Sequence, residues 1–135
     1  QILLDHQSFL LGLGIGLYWG EGTKANKHAV RLGNTDPSLV CAFMIFLEQC
    51  YGVSRDRMKF GLQVFSDINP DQALEFWLRR LCVRREQFYV PTLSGSQSVG
   101  TYTRHAPYGV LTLHFNNIKL RNLLVSKIAE LQKLY

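Results

Sequence analysis

The chain is poor in cysteine, and the little it has follows no metal or disulfide pattern. Cys41, Cys50 and Cys82 are odd in number, form no CxxC pair and lie in apolar, helix-like segments. They read as buried free thiols of a reducing compartment, cytoplasmic or organellar. Long hydrophobic runs are missing too. The longest, Phe9 to Gly20, is too short to span a bilayer and lacks the basic flank of a signal peptide, which points to a soluble domain with no membrane partner. There is no internal repeat, so any motif is present once per chain. Acidic residues are the minority charge, ten Asp and Glu against 15 Lys and Arg, for a formal net charge of +5. That balance favours a polyanionic partner, although it does not separate nucleic acid from an anionic membrane surface.

Apolar material, by contrast, is plentiful. With 47% hydrophobic residues in a chain of 135, residues 1–135 can bury one real core and are read as a single domain. Helical spacing predicts a first helix from about Gln7 to Gly20. In HAVRLGN, Val30 and Leu32 point one way and Arg31 the other, as in a short strand. TDPSLV starts a second helix, with Asp36 as N-cap and Pro37 at the first helical position, which ends near Gly52. Arg57 to Phe65 alternates Met58, Phe60, Leu62 and Val64 with Arg57, Lys59, Gly61 and Gln63, the clearest strand in the chain. Asn69-Pro70 opens a third helix through about Cys82, with Trp77 inward. Gln87 to Leu93 reads as a strand that pairs, across a polar hairpin loop from Ser94 to Ala106, with the alternating segment Val110 to Phe115. Asn116 or Asn117 then caps a last helix through Leu120, Leu124, Ile128 and Leu131. The sum is an α+β fold: an antiparallel sheet with helices packed on one face and the other face open.

Arg31, Arg57, Lys59, Gln63, Thr112 and His114 would project from that open face. A solvated sheet face is polar in any protein. A twisted face of cations, amides and hydroxyls without carboxylates also suits DNA, where cations meet phosphates and guanidinia or amides read base edges.

The first helix raises a separate question. Gly12, Gly16 and Gly20 recur at every fourth position and line one stripe, yet each costs about 0.5–1 kcal/mol in a helix interior relative to alanine. A compensating close contact is required, either with another helix of the same chain or with a second copy. A dinucleotide fingerprint fails, because GxGxxG would need glycine at Leu17 or Trp19 and no strand precedes the segment. Glu21 ends the helix where the macrodipole already presents negative charge. If two copies meet along the stripe, two Glu21 carboxylates and the helix-end carbonyls converge into a hard-oxygen site for Mg²⁺, or for Ca²⁺ or Mn²⁺, suited to phosphodiester hydrolysis.

GIGLYWGEG, Gly14 to Gly22, resembles the signature of the LAGLIDADG homing endonucleases. Gly16, Leu17, Glu21 and Gly22 stand at its inner glycine, leucine, metal-binding acid and last glycine. Gly20 takes the place of a small alanine, and Trp19 stands where the signature has its first aspartate. The order of elements is compatible with that family over most of the chain, although the hairpin Thr23 to Asn34 is abbreviated and the helix around Trp77 reads as an insertion. The resemblance implies an intron-encoded type of enzyme, a homodimer cutting a roughly palindromic double-stranded DNA. It further implies Glu21 and the Gly20 carbonyl at the metal, with Asn34 and Lys119 as catalytic partners. Lys24, Lys27 and, in the polar loop, Arg104 join the sheet residues as DNA contacts. The alternative within the same resemblance is a non-cleaving DNA- or RNA-binding protein, a regulator or a splicing maturase.

Two other patterns are weaker. His105 and His114, with Asn116 and Asn117, fit no ββα nuclease unit. Arg79, Arg80, Arg84 and Arg85 read as the solvated side and end of the third helix.

Overall fold

The computed structural model describes residues 2–95 and 106–135. In chain order it contains α1 (Ile2–Glu21), β1 (Val30–Asn34), α2 (Pro37–Tyr51), β2 (Lys59–Phe65), α3 (Pro70–Leu81), β3 (Thr92–Ser94), β4 (Val110–Phe115) and α4 (Ile118–Gln132). Each later helix starts where a short polar side chain and a proline or asparagine predict it. The Asp36 carboxylate accepts from the Ser38 N–H at 2.9 Å, and the Asn69 carbonyl accepts from Asp71 N–H at 2.9 Å and Gln72 N–H at 3.2 Å. At the start of α4, Asn117 rather than Asn116 accepts from Leu120 N–H at 2.9 Å. These bonds satisfy donors that the first turn leaves without partners. Gly52 closes α2 in the left-handed conformation at φ 65°.

The sheet is α+β in character but mixed, not antiparallel. Its order is β1-β4-β2-β3, with β4 antiparallel to both β1 and β2, and β3 parallel to β2. The expected β3–β4 hairpin is therefore absent, because β2 lies between those strands. The reason lies in α3. A 12-residue helix between β2 and β3 is the crossover that a parallel pair requires, so the chain returns to the sheet in the same direction in which it left.

Two boundaries shift for local reasons. Arg55–Arg57 forms a 3-10 turn closed by Met58 N–H donating to Arg55 O at 3.1 Å, so β2 begins at Lys59 and Arg57 precedes it. Arg85–Gln87 forms a second 3-10 turn. There the buried Gln87 amide donates to Met58 O and Arg55 O, each at 2.9 Å, tying the two turns together and delaying β3 to Thr92.

The helices cover one face of the sheet. Val30, Leu32, Phe60, Leu62, Val64, Leu111, Leu113 and Phe115 point into them and are buried. Above these, Tyr18 of α1 stacks on Phe43 of α2 with ring centroids 6.0 Å apart, and Trp77 of α3 is fully buried with its indole N–H donating to Tyr108 O at 2.8 Å. Among the described residues no helix is long and apolar enough to cross a membrane. The thiols are less buried than expected: Cys41 and Cys50 are half-buried, and Cys82 is exposed because it forms the left-handed C-cap of α3 at φ 55°.

Candidate carboxylate site and cationic sheet face

The glycines of α1 divide into two kinds. At Gly14 a Cβ would run into the Phe46 ring, so this glycine is what lets α1 and α2 approach. At Gly12, Gly16 and Gly20 a Cβ would meet nothing within 4 Å. Among the described residues nothing packs against these positions, although Gly12 borders a groove that it shares with Lys127, Glu130, Leu131 and Leu134, and the tight intramolecular approach falls to Gly14 instead. Around the stripe, Phe9 is 69% exposed and Trp19 36%, with Leu13 also exposed, so an apolar face of α1 is left uncovered.

That face ends at Glu21. Gly22 follows with its N–H donating to Tyr18 O at 2.9 Å and with its Cα against the Tyr18 ring, where a side chain would collide. The chain then turns back to pair Gly22 with Leu32 of β1, which brings Glu21 to Asn34. Asn34 Oδ1 accepts from Asp36 N–H at 2.9 Å, so its amide nitrogen is turned outward and donates to Glu21 Oε2 at 3.2 Å. Glu21 is exposed and Asn34 half-buried, so both remain accessible to solvent.

The cation that answers the helix end within one chain is Lys24. Its ammonium donates to Trp19 O at 2.7 Å and Tyr18 O at 3.2 Å, opposing the negative end of the helix dipole. Lys24 is thereby engaged with α1 rather than projecting toward a ligand. The loop that carries it is held by Arg121 of α4, which donates to Lys24 O at 2.7 Å and Asn26 O at 3.1 Å. Sequence reasoning missed Arg121, since a lone arginine on an amphipathic helix carries no signal of a contact 95 residues away. Lys27 sits exposed in the same loop.

On the open sheet face the register aligns Arg31 of β1, His114 of β4 and Lys59 of β2 in one row, and Gly33, Thr112 and Gly61 in the next. Gln63 lies opposite Val110 on one side and Thr92 on the other, with its amide bonded to Ser94 Oγ. Among the described residues no strand contains an acidic residue. Arg31 Nε is withdrawn from solvent and has no hydrogen-bond partner among the described residues. His114 packs edge-on against the Tyr89 ring, centroids 5.4 Å apart, and its pKa is lowered by burial and, secondarily, by the Arg31 charge.

The candidate catalytic residues are only partly brought together. Glu21 and Asn34 meet. Lys119 does not join them: Asn34 pairs with Leu111 at one end of β4, whereas Lys119 follows Phe115 at the other. Lys119 instead lines a groove of about 430 Å³ with Arg57, Ser54, Gly52 and Asn117. Arg104 falls outside the described residues. The arginines of the α3 region make side-chain contacts of their own: Arg80 donates to Ser38 Oγ at 3.1 Å, Arg85 pairs with Glu75 at 2.8 Å, and exposed Arg84 lies 3.9 Å from Asp56.

One chain alone supplies a thin donor set for a metal. Among the described residues no group of three His, Cys, Asp or Glu side chains converges. Mg²⁺ is commonly held by one or two carboxylates with the remaining positions filled by water, so an exposed, oriented Glu21 fits half of such a site.

Compared with known proteins, no family model matches the chain, and no curated protein or solved structure is significantly similar to it.

Proposed function

We propose that the chain is one half of a homodimeric, site-specific endonuclease of double-stranded DNA, of the LAGLIDADG type, using a divalent metal. The observation that carries this reading is the uncovered glycine stripe of α1 ending at the Asn34-oriented Glu21. Helix-weakening glycines with open space above them make sense when a second backbone comes close, and a two-fold contact along α1 brings two Glu21 carboxylates together. Glu21, with the Gly20 carbonyl, would hold Mg²⁺, or Ca²⁺ or Mn²⁺ in its place, and Asn34 would fix the carboxylate's rotamer. The metal would supply an acidified water and charge neutralisation at the scissile phosphate. The sheet row Arg31–His114–Lys59, with Gln63 and Thr112, would face the DNA groove, while Lys27, Arg57 and Lys119 would meet phosphates at its margins.

The single carboxylate per chain and Trp19 in the place of an acid favour a second reading, a protein of the same build that binds DNA or RNA without cutting. A duplex library incubated with Mg²⁺ separates the two. Cleavage that drops about a hundredfold or more in Glu21→Gln supports the enzyme, whereas cleavage indifferent to that substitution removes the proposed mechanism. Selective binding with no cleavage by the parent chain supports the second reading. Sedimentation tests the partner: a dimer that Gly16→Leu splits is the expected result, and a monomeric parent at all concentrations refutes the pairing.

A further inference from the structure

The cross-strand rows of the open face are not uniform. Gly33 and Gly61 flank Thr112, so beside the Arg31–His114–Lys59 row the sheet has a dip in which only the threonine rises. His114 Nε2 leans over this dip, 3.4 Å from where a Cβ on Gly61 would lie. A shallow trough floored by backbone admits the flat edge of a base pair, whereas a phosphate is met as well by any exposed lysine at the rim. The Arg31 guanidinium stands beside it, and its Nε–H is withdrawn from solvent with no acceptor among the described residues.

We propose that Arg31 and His114 read one G·C base pair from the major groove. Arg31 donates to O6 and N7 of the guanine, and the neutral imidazole of His114 accepts from the N4 amino group of the paired cytosine. The inference rests on the duplex-DNA reading above and names which pair that face selects. Guanine offers two acceptors and cytosine one donor, and adjacent strands about 4.8 Å apart set an arginine and a histidine within reach of one pair. Among the described residues the groups facing His114 are Arg31 from β1, Lys59 from β2 and Tyr89 from the segment before β3. Two of the three are cations, and all four strands lack carboxylates, so nothing in the sheet favours imidazolium. Burial and the Arg31 charge both hold the His114 pKa below its ordinary value. Protonation would turn the acceptor into a donor aimed at a donor.

The test is selection from a randomised duplex library by the parent, Arg31→Lys, His114→Ala and His114→Gln. Each preference is read as the ratio of bases at one position within one preparation, so loss of active protein divides out. The parent should enrich one G·C pair in each half-site. Arg31→Lys and His114→Ala should cut that enrichment roughly five- to a hundredfold while sparing other positions, and His114→Gln, whose amide oxygen also accepts, should keep most of it. Acidification should erode the preference in the parent but not in His114→Gln. Enrichment untouched by Arg31→Lys and His114→Ala, or lowered equally at every position as for a phosphate contact, overturns the assignment while leaving the DNA reading intact. A parent that selects no duplex overturns both.

Discussion

Adding a single methyl group to Gly14 and to Gly16 should move the protein in opposite directions. At Gly14 the new Cβ would overlap the near atoms of the Phe46 ring. That ring has nowhere to go: it is fully buried, with the Phe43 centroid 5.5 Å away on one side and Tyr51 packed edge-on at 5.4 Å on the other. Overpacking of this kind costs about 1–3 kcal/mol, and overlap with the base of a ring rather than a flexible tip belongs at the upper end. Better helix propensity returns up to ~1 kcal/mol, leaving Gly14→Ala destabilised by about 2 kcal/mol. For a domain of this size that lowers Tm by roughly 6 °C. At Gly16 the Cβ meets nothing, so only the propensity gain applies to an isolated chain, and Gly16→Ala should raise the monomer's stability by up to ~1 kcal/mol. In a dimer that packs through the stripe, the same methyl weakens association. Urea denaturation of both variants over a hundredfold range of protein concentration checks the set. A Gly14→Ala protein as stable as the parent refutes the α1–α2 packing. A Gly16→Ala protein less stable than the parent at the lowest concentration refutes the claim that the stripe is open within the chain.

Three further outcomes are expected. Cys82→Gly should stabilise by about 0.5–1 kcal/mol, since φ 55° is costly for a residue with a Cβ and glycine loses part of that gain through its unfolded-state entropy; a lower urea midpoint counts against the αL cap. His114 binds its proton less readily in the fold than in the unfolded chain, where its pKa is about 6.5. Its contribution is therefore complete above that value and is lost as pH falls through the depressed folded value. On acidification from about pH 7 to about pH 5 the parent should lose more stability than His114→Gln, and parallel profiles would contradict the burial of the imidazole. Arg121→Met removes the donors to Lys24 O and Asn26 O, so amide exchange across the 22–29 loop should accelerate while α2 and β2 stay protected; unchanged exchange in the loop would show that the contact is dispensable.

Local signals told most of the elements apart. Asp36, Asn69 and Asn117 announce helix starts because their side chains act on backbone two or three residues away, and alternation in Lys59–Phe65 and Val110–Phe115 announces strands because a half-buried sheet needs that period. Strand pairing was not legible. Neighbours in sequence suggested a hairpin, but pairing depends on which edges remain open once α3 has carried the chain across the sheet. The site followed the same division. Glu21 stands out in the sequence as a carboxylate at an unfavourable helix end, whereas Asn34 is named only by the family resemblance, and its place beside Glu21 comes from the pairing of Gly22 with Leu32. Lys119, likewise implied by the resemblance, lies at the other end of β4, because proximity after a strand depends on which end of the strand the chain leaves.

The sequence by itself determined the charge balance, the helix starts, the inward faces and the anomaly of a glycine-striped helix ending in an acid, all of which act over a few residues. Only the tertiary structure decided which glycine touches the chain's own core and which three leave a face open, since that depends on how α1 is rotated over α2. It likewise decided that Arg31, His114 and Lys59, drawn from three strands far apart in sequence, stand in one row. A register is set by packing the opposite, apolar face, and no local pattern encodes it.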